Sequence, residues 1–588
     1  MRRAGPIKQN TDCRTPKRVI ALHCETVKAK HGSGYIQSFR SATIIESARS
    51  GTSGSWSEPV ELTFTDPEAL WEEITDYTRA RARTWLVSYL AGNQLRIAQA
   101  FKWLPRLGWT TNPDPIVGDN VLSIGWHNEK RSLLAVDLYS YLPHALTSIS
   151  KWTFSGEDDA RAIHRAFLDL AELQHSFDLG NFSRTGASNS SNHFRHRCMT
   201  TKIWVHDDER ALAAERESIF TGRTEAWRTG PFRHLDEWDL PLAYPRVGLD
   251  TWLPVRLLGL RTGRLPPRRG RTYLGLASVR SDVPVLPCRS DGSPGARPVL
   301  WPTGSFQGWY WEDELALAEA HGAEVDVHEC YEYATAPVLE LWARWIMASQ
   351  AQMSQLPGCD PGLSLSPVQQ SAVKHWGRAL IGKFGAMIPD WKDGGSFEDC
   401  ELELCTEIDD RYGRGERLTI GGRSLVSFER RYSDGAFPAL MSRVISECRM
   451  RLWRLMVVAG CDHVFYVDTD SLFVDHEGSN RLRAFTEGSG GWGVRIKTRH
   501  DAGTILGPRQ LILAGGPRVS GLPKDSKFVP ATETVEEHFS APIKQSFRGG
   551  AGTGHSEGVL ERTGTFRVRG SDTRRVHLED GTTEAVAI

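Results

Sequence analysis

The chain has 588 residues, 40% hydrophobic and 24% charged, with a formal net charge of −1. It is too long for one hydrophobic core, so about three to five domains of ordinary soluble composition are expected. No apolar run approaches the roughly 18 residues needed to cross a bilayer, and the balanced charge gives nucleic-acid binding no general support.

The opening residues, MRRAGPIKQNTDCRTPKR, are basic but lack an apolar segment. They read as a disordered lead-in over 1–17 and not as a signal peptide. Residues 18–46 read as a strand, a turn at His31–Gly34 and a second strand, and strand and helix patterns then alternate to about 175. This predicts an α/β domain over 18–195. Its last stretch, 180–193, is small and polar and reads as a loop or linker. Residues 251–281 hold no acid but include Arg256, Arg261, Arg264, Arg268, Arg269, Arg271 and Arg280. Such a run can follow a phosphate backbone or form a solvated basic loop, and charge alone does not choose between them.

Residues 271–333 read as strands around a helix at Glu312–His321 that ends at Gly322. Two helices follow at 337–356 and 366–384, then short strands in a polar, Gly-rich stretch at 386–436. A long helix is predicted over 437–459, a hairpin over 463–475, and short strands beyond 500. The ten cysteines are scattered, and the closest pair, Cys400 and Cys405, has no partner pair at zinc-site spacing. They read as free thiols of a reducing cytoplasm. Metal chemistry then falls to carboxylates, which favours magnesium or manganese.

The strongest signal is Tyr466-Val467-Asp468-Thr469-Asp470-Ser471, two aspartates at a turn between apolar strands. Burying two carboxylates at a hairpin tip is costly unless cations neutralise them. Two divalent ions roughly 3.5–4 Å apart on such carboxylates suit phosphoryl transfer. An ordinary Asp-rich turn is the plainer alternative.

This hexapeptide resembles the third polymerase motif of family B DNA polymerases, Tyr-x-Asp-Thr-Asp-Ser. Lys374-His-Trp-Gly-Arg378-Ala-Leu-Ile381-Gly-Lys383-Phe-Gly is similar to the family's second motif on a fingers helix, with Arg378 replacing Asn and Ile381 replacing Tyr. Two segments compete for the first motif, Asp-x-x-Ser-Leu-Tyr-Pro: one begins at Asp137, the other at Asp239 and keeps Tyr244-Pro245 in register. The choice falls on Asp239, because Phe220-Thr-Gly222-Arg223 just upstream resembles the family's Tyr-x-Gly-Gly link between exonuclease and polymerase domains. Arg449 matches an Arg on the helix beneath the third motif. GPRQLILAGGPRVSGLP, 507–523, resembles a Lys-x-Tyr primer grip, with Arg509 keeping the charge and Leu511 replacing Tyr. The similarity is strongest to the short protein-primed branch of phages and linear plasmids.

The resemblance implies a multidomain α/β and α+β architecture: a ribonuclease-H-like exonuclease domain, then a right-hand polymerase of palm, fingers and thumb. The expected boundaries are 18–195 for the exonuclease-like domain, 196–335 for the first palm segment, 336–395 for fingers, 396–500 for the second palm segment and 501–588 for thumb. It implies Asp239 and Asp470 as ligands of two magnesium ions, with manganese as a substitute, helped by Asp468 and the Leu240 carbonyl. Tyr244, Lys374 and Arg378 would meet the nucleotide; Tyr244 read alone is a core tyrosine and Lys374 a surface lysine. Gly222, Arg223, Lys383, Tyr466, Thr469 and Arg509 would meet DNA. The partners implied are template, primer, deoxynucleoside triphosphates and a terminal protein primer, with a monomer in a bacterial host cytoplasm.

The exonuclease motifs are degraded. His23 stands where the first motif has Asp, Gln94 takes the second-motif Asp position, and only Glu25 and Asp169 survive of four acids. The domain is therefore expected to be inactive, a scaffold or single-strand channel. Arg378, Ile381 and Leu511 depart at positions that grip template or primer. Template-independent nucleotide addition and non-catalytic DNA binding are therefore the rival readings.

Overall fold

The computed structural model describes residues 4–588 except 32–33, 51–53, 113, 118–121, 157, 290–298, 351–364, 397–401, 410–412, 421–422, 490, 520–526, 530–533, 541–558, 568–574 and 579. Residues 351–356 of the first fingers helix, Cys400, and 520–523 of the primer-grip segment fall outside them, as does the side chain of Cys405. The fold is mixed α/β. No helix among the described residues is long and apolar enough to cross a membrane.

The N-terminal domain is built on strands Arg18–His31, Gly34–Ala48, Arg83–Ser88 and Arg131–Asp137. The first, third and fourth pair in parallel, and both faces are covered. Alternate residues of the first strand serve separate cores, Ile20 and Leu22 on one side and Val19 and Ala21 on the other. This is the period-two burial of a sheet sandwiched between layers.

The described part of the lead-in, 4–17, is ordered: Gly5–Pro6 pairs with Trp204–Val205 and Ile7 joins the main core. The 180–193 stretch is not a linker either. Residues Gly186–His193 form a helix whose first turn is capped by the Thr185 hydroxyl, which accepts from Ser188 N at 3.2 Å. Its small side chains let it lie against the helix Pro367–Phe384, where Ser190 Oγ donates to the Trp376 carbonyl at 3.1 Å. A Cβ at Gly186 would come within 2.6 Å of the Ser140 carbonyl oxygen. Composition that resembles a flexible loop here serves close packing.

Beyond the N-terminal domain the chain is built mainly on two larger sheets. One joins Thr224–Ala226, Gly230–Asp239, Val464–Asp468, Ser471–Val474 and Arg495–Gly507. The other joins Leu253–Thr262, Arg271–Ser281, Gly304–Trp311 and Glu324–Ala336. Helix Pro438–Ala459 lies between them, nearly all of it buried. Arg449 on this helix donates to Glu314 at 2.6 Å and to the Phe220 carbonyl at 3.1 Å. That buried pair ties together three segments distant in sequence.

Two expected boundaries change. Residues 392–427 form a separate four-stranded sheet with its own pairing, and its Leu418 and Ile420 join the N-terminal core. They stand apart from the sheet that carries the Asp468–Asp470 turn. The tail is not one thumb unit. Its strand Val559–Arg567 pairs with Gly34–Gln37 of the N-terminal sheet. Arg575, farther on, donates to Glu225 at 3.2 Å beside the hairpin sheet.

Candidate active site

Asp239 ends its strand opposite Ser471, so register alone carries it to the tip of the Asp468–Asp470 hairpin. Leu240 N donates to the Asp470 carbonyl at 2.9 Å, locking the two turns together. The hairpin tip needs Thr469 in the left-handed region, φ 61°. Its N–H donates to the Arg223 carbonyl at 2.7 Å, and Gly222 packs against it so closely that a Cβ there would lie 2.7 Å from Thr469 Cγ2. Gly222 is thus needed for close approach.

Burial, and then the Asp239 charge, push Asp470 up to about 6. Burial also raises Asp239, against the pull of Lys497 and Lys374. Asp468 is turned differently: its Oδ1 accepts from the Thr224 and Thr469 hydroxyls at 3.0 and 3.1 Å. Among the described residues no three His, Cys, Asp or Glu side chains come together as a metal cage. Two facing carboxylates with excess negative charge nevertheless fit magnesium. That ion is commonly held by one or two carboxylates, with water and substrate phosphate completing its shell.

Lys374 and Arg378, one turn apart on the Pro367–Phe384 helix, are both exposed. The Lys374 charge acts on Asp239 and the Arg378 charge on Asp470, so the helix presents a cationic face to the carboxylates. Tyr244 follows Leu242, itself at φ 57°, in the helix Ala243–Asp250. Burial, with the nearby Cys448 and Asp470, pushes its hydroxyl up to about 12.

Two residues expected to touch DNA, Arg223 and Tyr466, are buried in other contacts. Arg223 is buried, pairs with Glu225 at 2.5 Å and lies over the rings of Trp227, Trp301 and Trp453, so no phosphate can reach it. Tyr466 is buried under the hairpin, and its hydroxyl accepts from Arg509 N at 2.9 Å. Lys383 lines a small cavity with Ile7, Asn192 and Phe384, and burial lowers its pKa. Arg509 is exposed at a turn, at φ 59°. Leu511 beside it is core.

Lys497 supplies a cation near the carboxylates that the sequence reading missed. It is held by Glu237, two residues before Asp239. Burial opposes ionisation of Glu237, but hydrogen bonds from Lys497 at 2.8 Å and His500 at 3.0 Å, with the Arg518 charge, bring it down to about 2. The alternation along Gly230–Asp239 puts Glu237 and Asp239 on one face, but which cation meets Glu237 is set by the pairing of that strand with Arg495–Gly507.

Asp137, the rival for the first motif, lies in the N-terminal domain, fully buried. It accepts from Leu90 N, Ala91 N and Tyr139 N at 2.9–3.0 Å. Gln94 accepts from Cys24 N at 2.6 Å, beside the degraded first exonuclease motif. Glu25 is exposed and accepts from Ser41 Oγ at 3.2 Å. Asp169 is elsewhere: it bonds Ser366 Oγ, and Gln369 Nε2 at 2.7 Å, at the start of the Pro367–Phe384 helix. The acid beside His23 is Asp159, at 3.7 Å. Asp169 lies about ten residues along the same helix, roughly 15 Å away.

Because its folded-state pKa is raised, Asp470 favours folding while protonated, and that contribution is lost as pH rises through about 6. In EDTA at about pH 8, Asp470→Asn should therefore raise the melting temperature, by the equivalent of about 1–2 kcal/mol, with little gain near pH 4. No gain at the higher pH would mean that the two carboxylates do not oppose each other in solution.

The chain superposes on phi29 DNA polymerase in its ternary complex with primer-template DNA and incoming nucleotide, with a TM-score of 0.66 at 13% identity, covering 94% of this chain and 100% of that one. The same polymerase with single-stranded DNA gives 0.63 at 13% identity, with the same coverage. A probable DNA polymerase of Ascobolus immersus is 22% identical over 258 residues, 42% of this chain and 20% of that protein, so the match spans about a fifth of the relative's length. No family model matches. The fold is that of phi29 DNA polymerase, a protein-primed member of family B, and the resemblance drawn from the motif order holds at that level.

Proposed function

We infer that the chain is a DNA-directed DNA polymerase that extends a primer 3′-hydroxyl with deoxynucleoside triphosphates. The observation that carries this reading is the meeting of Asp239 and Asp470 under the cationic face of Lys374 and Arg378. Asp239, Asp470 and the Leu240 carbonyl would hold magnesium, or manganese in its place. The bound ions would supply the charge that acidifies the 3′-hydroxyl and neutralises the triphosphate. Lys374 and Arg378 bind the triphosphate from the other side, lysine as a point charge and arginine as a fork. Glu237 fixes Lys497 beside the carboxylates. The hydroxyl attacks the α-phosphate in line, and pyrophosphate leaves. The phi29 likeness favours protein priming by a terminal protein and replication of a mobile element.

Primer extension with and without template tests the reading. Template-dependent extension is expected. Addition without template would favour the rival that the Arg378, Ile381 and Leu511 departures suggest, and shift of the DNA without extension would reduce the chain to a binding protein.

Tyr244 is half-buried beside Asp470, in place to pack against a nucleotide sugar. Tyr244→Val should relax exclusion of ribonucleotides by roughly tenfold or more, by opening space for a 2′-hydroxyl. Unchanged discrimination in single-nucleotide incorporation would return Tyr244 to the core.

A further inference from the structure

A second cavity lies away from the carboxylates. It is about 650 Å³, and its walls include none of Asp239, Asp468, Asp470, Lys374 or Arg378. It opens along the acid-free arginine run, between the turn at 263–270, the end of the Ala243–Asp250 helix and the buried Pro438–Ala459 helix.

Three of the seven arginines in the run are accounted for elsewhere. Arg261 pairs with Glu332 at 3.0 Å, Arg264 with Glu319 at 2.8 Å, and Arg256 lies over the Trp204 ring. Arg268 and Arg269 have no carboxylate partner among the described residues, are exposed, and line this cavity. Arg271, Arg443, Arg451 and Arg454 join them. Facing these six arginines are the four carboxylates of Asp250, Glu312, Asp313 and Glu447, so the walls carry net positive charge.

Arg443 gives an independent sign of a missing partner. Its side chain is 5% exposed and pairs through Nη2 with Asp313, yet Nε and Nη1 have no hydrogen-bond partner among the described residues. Glu447 stands 3.8 Å from Nη1, too long for a hydrogen bond. Buried guanidinium donors left unmade are costly, and their usual explanation is a water or anion.

At the rim stands Trp252, 49% exposed, presenting an indole on the turn before Leu253. A cavity of this size holds one ligand of nucleotide scale. Three of the four wall carboxylates are already paired with arginines, Asp250 and Glu447 with Arg451 and Asp313 with Arg443. Their remaining lone pairs can accept from sugar hydroxyls and base amino groups, which a bare phosphate backbone does not offer. We propose that this cavity is a second nucleotide site, with the base against Trp252 and the phosphates among Arg268, Arg269 and Arg443. The nucleotide can come free, as a nucleoside triphosphate, or as the 5′-phosphorylated end of a single strand.

Fluorescence titration of the full chain in EDTA, without the divalent ions a polymerase site needs, tests this. The two probes are a fluorescent ATP analogue and a labelled 5′-phosphorylated hexathymidylate. At least one should bind the wild type, and the one that does identifies the source. Arg268→Ala with Arg269→Ala, on an exposed turn, should weaken binding roughly tenfold or more. Trp252→Ala should weaken it by several-fold, and Lys374→Ala should leave it unchanged. Binding of neither probe would overturn the proposal. So would loss on Lys374→Ala with the arginine pair indifferent, which would put the nucleotide at the carboxylate site. Full affinity in Trp252→Ala would overturn the stacking.

Discussion

Asp470→Asn and Asp239→Asn should each lower nucleotide incorporation by about three orders of magnitude or more, while the protein stays folded. Each change removes one of two facing negative charges without removing packing volume. The metal-free protein should not suffer, because Asp470 is held up to about 6 and Asp239 is also raised. Loss of activity without loss of melting temperature is therefore the signature of a metal ligand here, and not of a structural acid. Asp137→Asn should do the opposite. Burial pushes Asp137 up to about 7, as it raises Asp470, but its carboxylate also accepts three backbone N–H bonds, which one amide oxygen cannot all replace, so the N-terminal domain should lose about 1–3 kcal/mol. Incorporation per folded molecule should stay near wild type. Single-turnover kinetics beside thermal melts separate the two behaviours. A kinetic collapse at Asp137 with Asp239 indifferent would reverse the choice of first motif.

The carboxylates were legible because their chemistry is local. Asp468-Thr-Asp470 sits on a turn whose flanks are apolar, and two buried acids there demand an explanation before any fold is known. The cations were legible only in part. Lys374 and Arg378 lie one helical turn apart, a spacing that shows from sequence. Lys497 did not show, because strand register places it and nothing near it in the chain hints at a carboxylate. Arg509, expected to grip the primer, is exposed at its turn, and its backbone N–H donates to the Tyr466 hydroxyl. Arg223 shows the limit of reading charge as surface: three tryptophans and Glu225 make a buried arginine tolerable.

The long helices and the first hairpin were equally plain, since period and caps mark them: Ser366 and Gln369 form a capping box at the start of the Pro367–Phe384 helix. What stayed hidden was decided by distant partners. The polar run at 180–193 folds as a helix because the Pro367–Phe384 helix accepts its small side chains. The strand Val559–Arg567 pairs with the N-terminal sheet, and the separate sheet within 392–427 sends Leu418 and Ile420 into the N-terminal core, and no local pattern says so.

The purified protein should show negligible 3′–5′ degradation of single-stranded DNA with magnesium, even while it extends primers. Such cleavage needs two ions and most of four acids. His23 supplies no negative charge at neutral pH, and burial lowers its pKa further against the pull of Asp159. Gln94 spends its carbonyl on Cys24 N. Asp169 caps the fingers-like helix through Ser366 and Gln369, so the two surviving acids do not face each other. Asp159 pairs with His23, and the charges of Glu25 and Asp158 reach it too. The same geometry names the repair. His23→Asp with Gln94→Asp would set two new carboxylates beside Glu25 and Asp159, and the one replacing Gln94 could still accept from Cys24 N. A gain of nuclease activity in that double variant, lost again on Asp159→Asn, would make Asp159 the fourth acid in place of Asp169. Robust degradation by the unaltered protein, abolished by Glu25→Ala, would show instead that the domain keeps a working centre, with a ligand set other than the one its motifs suggest.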